Sequence, residues 1–181
     1  ESPTANDFTT NPVPSPGPVT TVSPSPSGAF TAYVNARYQF SALRPAGWDL
    51  QESANGDGAT ITSPDRDVEI VIFGSNNLGV SCETEGAALD LPRTLAQCYS
   101  AEERNRRAEG SSITYQAKGN DWFVLSGHRS GGQVYYQRSV IGAGSIVTAI
   151  LTYPQDKTKA MDEITTTVSL SLRAKGTDEP H

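Results

Sequence analysis

Three carboxylates stand at alternate positions in "SPDRDVEIVIFGSNN": Asp65, Asp67 and Glu69. Oxygen donors grouped in this way are the raw material of a calcium or magnesium site. The stretch lacks the glycine-turned loop and the distal bidentate glutamate that complete one, so the expectation is a strand end facing water. A loosely held cation at Asp65, Asp67 and Glu69 is the alternative. Hydrolysis would need a base beside a nucleophile. His128, in "LSGHRSGG", is the one interior histidine; Ser126 shares its strand face, Ser130 follows, and Asp121 is a possible orienter. No G-x-S-x-G elbow or oxyanion loop accompanies them, so a hydrolase centred on His128 is the least favoured reading and no catalytic residue is assigned.

Other motifs yield less. "GAGS" (142–145) has a strand behind it where a dinucleotide fingerprint needs a helix, which makes it a hairpin turn. "GSNNLG" has the glycines of a phosphate loop without its Lys-Ser/Thr ending, and no cofactor is implied. The acid pairs Glu83/Glu85 and Asp162/Glu163 each lie within one segment, not across a cleft as glycoside hydrolysis requires. In "EERNRR", Glu102–Arg106 and Glu103–Arg107 have the i,i+4 order that stabilises a helix, so a surface ion-pair ladder is expected. Trp48, Trp122, Tyr135 and Tyr136 are the large aromatics of the sheet and its rims. With His128, they are the candidate binding residues should one face lie open.

The elements that must position these residues are mostly strands. Alternation over Tyr38–Arg44 predicts a first strand ended by Pro45 and Gly47. Trp48–Glu52, "ATIT" (59–62) and "DVEIVIFG" (67–74) predict three more. "SITYQAK", "WFVLSGH", "QVYYQRSVI" and "SIVTAILTY", joined by short glycine-containing links, predict a four-strand antiparallel meander. Between the two groups, Leu91, Leu95, Cys98 and Tyr99 form one helical stripe, with Pro92 near its start. A second helix after Pro154, capped by Asp156, turns Met161, Ile164, Val168 and Leu172 to one side. "DVEIVIF" and "SIVTAIL" are apolar on both faces and need cover on both. The fold class expected is α+β, an antiparallel sheet of about six to eight strands sandwiched between helices.

Residues 1–28 hold seven of the 12 prolines, ten Ser or Thr, two acids and no base. This composition predicts a disordered tether, followed by a single domain over 29–174 and a frayed tail over 175–181. The net charge of −6 lacks the concentrated basic face that nucleic acid demands. No run is long and apolar enough for a membrane span, so any membrane contact would pass through an anchor ahead of Glu1. Cys82 and Cys98 suit one disulfide in an oxidising compartment, worth about 3 kcal/mol; two buried thiols are the other reading.

The stretch "YVNARYQFSALRPAGW", with Tyr38 and Phe40 ahead of Pro45, Gly47 and Trp48, resembles the opening of the PsbP-like fold. So does the closing order of an apolar strand, Tyr153-Pro154 and a helix running into "VSLSL". That fold groups the extrinsic subunit of the oxygen-evolving complex, a Ran-binding nuclear import factor and bacterial extracytoplasmic proteins. The resemblance implies a sheet between helices and mostly non-catalytic binding or assembly roles. The Cys82–Cys98 insert departs from the plant subunits, so photosynthesis is not carried over. The tether makes the chain similar to actinobacterial lipoproteins of this fold. The functional expectation is a non-enzymatic, extracytoplasmic module, lipid-anchored or secreted, that binds an envelope protein or a small ligand. Carriage of a small ligand or cation is the alternative.

Overall fold

The computed structural model describes residues 29–78, 82 and 91–175. The expectations placed on residues 1–28, on Glu83 and Glu85, and on the tail beyond Lys175 fall outside the described residues.

Two strands open the domain, β1 (Phe30–Asn35) and β2 (Phe40–Pro45), paired as an antiparallel hairpin that forms a small sheet of its own. The alternation that predicts a first strand from Tyr38 does not reach β1, which precedes it. Tyr38 lies in the connecting turn, where Gln39 takes a left-handed φ of 53°. The buried side chain of Asn35 is what disguised β1, because it spoils the apolar alternation in order to build the turn. It accepts the Tyr38 N–H at 2.9 Å and donates to the Gly56 carbonyl at 3.0 Å.

The main sheet contains β3 (Asp49–Glu52), β4 (Gly58–Thr62), β5 (Glu69–Asn76), β6 (Tyr115–Lys118), β7 (Trp122–Arg129), β8 (Gln133–Ile141) and β9 (Ser145–Pro154). Its order is β3-β4-β5-β9-β8-β7-β6, and every neighbouring pair is antiparallel. The meander over β6–β9 is present as expected. Because β9 returns to lie beside β5, the chain between β5 and β6 must cross one face of the sheet. That crossover carries α1 (Leu95–Ala108).

Helix α1 begins at a capping box: the Thr94 hydroxyl accepts the Gln97 N–H and the Gln97 side chain returns to the Thr94 N–H. This start excludes Leu91, which is exposed ahead of the helix and not on its buried stripe. Helix α2 (Thr158–Ser171) follows a 3-10 turn, Gln155–Lys157. Asp156 lies inside that turn and does not cap α2, whose cap position is Lys157. The Thr158 hydroxyl closes the turn by donating to the Gln155 carbonyl at 2.7 Å.

The helices lie on opposite faces. On the first, Ile61, Ile70, Ile72, Val147 and Leu151 are fully buried under Met161, Val168 and Leu172 of α2 and under Tyr33, Phe40 and Ala42 of the hairpin. Each enclosed side chain of this kind contributes about 1.5–3 kcal/mol. On the second, Phe123, Leu125, Tyr135 and Ile146 pack beneath Cys98 and Tyr99 of α1. The segment after α2 locks the hairpin in place, with Arg173 and Ser41 exchanging backbone hydrogen bonds at 2.9 and 3.1 Å.

Gly127 marks a close backbone approach in β7, since a Cβ there would lie 1.9 Å from the Ser112 carbonyl oxygen. Gly127→Ala is expected to lower stability by about 1–3 kcal/mol in urea denaturation. Gly144→Ala, in an open turn with nothing within 4 Å of the added carbon, should shift it by less than about 0.5 kcal/mol.

Candidate functional site

Polar residues interrupt the second face of the sheet at its centre. Gln137 and Ser139 of β8 and Thr148 of β9 all point to that face, and all three are buried. The Gln137 amide donates to the Ser139 hydroxyl at 3.3 Å, and the Ser139 and Thr148 hydroxyls share a hydrogen bond at 2.9 Å. Above them lies a cleft of about 300 Å³ between α1 and the sheet. Phe73, Ile146 and Ile150 give it apolar walls, Glu102 and Asn105 face it from α1, and Cys82 and Cys98 line it. A hydroxyl offers one donor and two acceptor positions, so Ser139 and Thr148 have capacity beyond their mutual bond. Apolar walls with a few fixed polar groups are the usual make-up of a small-molecule site.

Arg106 anchors the helix above this row. It is 4% exposed, and its Nε and Nη2 both donate to Gln137 Oε1, at 2.9 and 2.7 Å. Glu102 pairs with Nη2 and Glu109 with Nη1, each at 3.1 Å, while the guanidinium lies 5.1 Å from the Tyr135 ring centre. The ladder expected on the surface is therefore split. Glu103–Arg107 is solvent-facing at 2.9 Å, whereas Glu102–Arg106 is drawn inward by the amide waiting on the sheet. Burial pushes the Tyr135 phenol above its ordinary pKa, and the Arg106 and Arg129 charges oppose that shift.

A disulfide joins Cys82 to Cys98, with Cα atoms 4.6 Å apart. It ties the buried face of α1 to the segment before it, and the alternative of two buried thiols does not hold. Asn77 fastens the same crossover: its amide donates to the Arg93 and Gly142 carbonyls at 3.2 and 2.7 Å and its oxygen accepts the Arg93 N–H at 2.9 Å.

The candidate aromatics do not converge. Tyr135 is fully enclosed and its hydroxyl donates to the Ser112 carbonyl at 3.1 Å, so it is a core residue and not a binding surface. Trp122 stacks under the buried Arg138 guanidinium, 4.2 Å from its ring, and Tyr136 shares a hydrogen bond with Ser169 of α2. Trp48 does line open space: two clefts of about 290 and 330 Å³ share Trp48, Ala160 and Ile164. His128 is half-buried near the end of β7, its backbone N–H donating to the Ser112 hydroxyl. The Ser126 hydroxyl is committed to the Tyr135 carbonyl at 2.8 Å. Asp121 precedes the opposite end of β7, about 20 Å from His128 at the usual rise per residue, so no triad assembles. Asp65 and Asp67 close on the Lys157 ammonium, which takes the place a cation would have had, while Glu69 stays exposed at the strand start. Among the described residues no cluster of three metal-ligating side chains occurs.

No protein-family model and no curated protein matches the sequence. Solved structures do resemble it. The cyanobacterial PsbP (CyanoP) of Synechocystis sp. PCC 6803 superposes with a TM-score of 0.57 at 14% identity, over 87% of this chain and 98% of that one. The fold is PsbP-like. Two looser likenesses are a Bacteroides thetaiotaomicron VPI-5482 protein and LpqN of Mycobacterium tuberculosis, the latter involved in cell envelope biogenesis. The first has a TM-score of 0.48 at 13% identity over 83% of this chain and 50% of that one. LpqN has a TM-score of 0.46 at 14% identity over 74% of this chain and 82% of that one. At such identities likeness extends to the fold and not to activity.

Gln137, Ser139, Thr148 and the inward turn of Arg106 were not recognised as a site in the sequence. The signal was present in "QVYYQRSVI", where three successive polar residues sit in the middle of a strand bounded by apolar ones. A central strand of this PsbP-like sheet places such residues indoors.

Arg106→Ala is expected to cost about 1–3 kcal/mol in chemical denaturation, because it orphans the buried Gln137 oxygen. Adding Gln137→Leu should recover part of that loss, as a double-mutant cycle would show. At the other end, hydrogen bonds from Lys157 and Ser63 hold Asp65 well below the usual carboxylate range, and Asp65 and Asp67 raise Lys157. Stability from the depressed carboxylate is present above its ordinary pKa and disappears as pH falls through the lowered value. Stability from the raised ammonium disappears as pH climbs through its elevated value. Lys157→Met should therefore differ modestly from the parent near neutrality, and the gap should close in strong acid, in strong base and at high salt.

Proposed function

We propose that this chain is a non-catalytic, extracytoplasmic binding module, lipid-anchored or secreted, that holds a small ligand in the cleft between α1 and the second face of the sheet. The observation that carries the reading is the buried Gln137–Ser139–Thr148 row forming the floor of an otherwise apolar cleft. Polar side chains in a sheet centre cost stability unless satisfied; here Arg106 answers the Gln137 oxygen, the three residues bond among themselves, and the two hydroxyls retain capacity toward the cleft. The Cys82–Cys98 bridge supports an oxidising compartment, where such bonds persist. The Pro/Ser/Thr-rich residues 1–28 suit a spacer between domain and membrane. Docking of an envelope protein is the second form of the same reading, and the open Trp48 clefts favour it. Nucleic acid is not among the expected partners, given the acidic balance.

Native mass spectrometry of the full chain taken from its own cells tests the first form. A bound small molecule is expected in the parent and should be lost in Ser139→Phe, which fills the cleft. Ligand-free parent protein, together with capture of an envelope protein that Trp48→Ala abolishes, would replace the first form by the second.

A further inference from the structure

A separate cleft in the described domain lies away from α1. It measures about 480 Å³ and is lined by the turn Arg37-Tyr38-Gln39, by the β8–β9 turn with Ser145, and by Lys175 beyond α2. None of these residues lines the cleft beneath the helix. Its chemistry runs against the rest of the molecule. The chain carries a net charge of −6, yet the described lining contains two cations and no acid.

The cations come from two separate segments. Arg37 is held in position: its guanidinium donates to the Asn55 carbonyl and lies 5.3 Å from the Tyr38 ring centre. Tyr38 is itself fixed, because it packs where a Gly74 side chain would stand, 2.6 Å from the position of a Cβ. Asp57, the carboxylate that responds electrostatically to Arg37, is occupied by Ser53 and Asn55, each at 2.7 Å. Lys175 makes no hydrogen bond or ion pair among the described residues. Gln39, which also lines the cleft, is held at φ 53° without being glycine.

We propose that this cleft binds the phosphate group of a small phosphorylated molecule. The Arg37 guanidinium, the Lys175 ammonium, the Gln39 amide and the Ser145 hydroxyl line one cleft, and all are donors that a tetrahedral anion can accept. Arg and Lys are the side chains suited to that task, one through paired donors and the other as a point charge. The volume lies within the range of small-molecule sites. A free phosphorylated solute and the headgroup of an anionic lipid share this chemistry.

The test uses the full chain in amide-resolved NMR titrations at low ionic strength with inorganic phosphate and with glycerol 3-phosphate, and chloride at matched ionic strength as control. Saturable shifts are expected at Tyr38, Gln39, Gly144 and Ser145, with Cys98 unmoved. Arg37→Gln and Lys175→Gln replace exposed groups, so unchanged spectra elsewhere report an intact fold. The pair should weaken binding by at least about tenfold. Co-sedimentation with phosphatidylglycerol vesicles, absent with phosphatidylcholine and lost in the double variant, assigns the headgroup as source. Saturation by glycerol 3-phosphate without co-sedimentation assigns a free solute. Shifts that chloride reproduces, shifts that survive in the double variant, or no saturable shift at all would overturn the proposal.

Discussion

A guanidinium placed between a helix and a sheet must be answered from both sides, and the crossover on the second face is organised around that requirement. Arg106 receives the Gln137 amide oxygen from below and Glu102 and Glu109 from its own helix. Taking such a charge out of water is costly, and removing one partner leaves the others uncompensated. The helix is therefore fixed in rotation and height over β8. The disulfide and Asn77 then fix the approach of the chain to it. The first face is held chiefly by aliphatic packing against α2 and the hairpin, and the guanidinium buried there, Arg138, lies against the Trp122 ring.

This asymmetry gives the two faces different work. The face filled by Ile61, Ile70, Ile72, Val147 and Leu151 is closed at those side chains, and its clefts lie beside Trp48 and α2. A face where a polar row meets a pinned helix leaves a space whose dimensions are set by the pins. Arg106 bridges α1 to Gln137, and Gln137 in turn lines this space.

Much of the architecture was legible from periodicity. "DVEIVIF" and "SIVTAIL" announced strands covered on both faces, and the glycine-containing links announced the meander. Less legible was what depends on side-chain hydrogen bonds, some local and some to partners distant in sequence. Asn35 brings a polar side chain to the end of β1, and its hydrogen bonds go to Tyr38 and Gly56. Leu91 looked helical because the Thr94 capping box fixes the start more strongly than a hydrophobic repeat can. Arg106 looked like one rung of an exposed ladder, since nothing local reveals an amide on a strand 31 positions away. The acids at 65 and 67 are solvent-facing, and their lysine comes from 92 positions away in the sequence.

The outermost strands of the main sheet have a bearing on how such molecules coexist at high local density. Both β3 and β6 are only four residues long, and they put Asp49, Glu52 and Lys118 in water. Open strand edges invite pairing with a second chain, and brevity with charge is the usual defence against it. Crowded side by side on a surface, copies of this domain would present one another with poor templates for fibrous association.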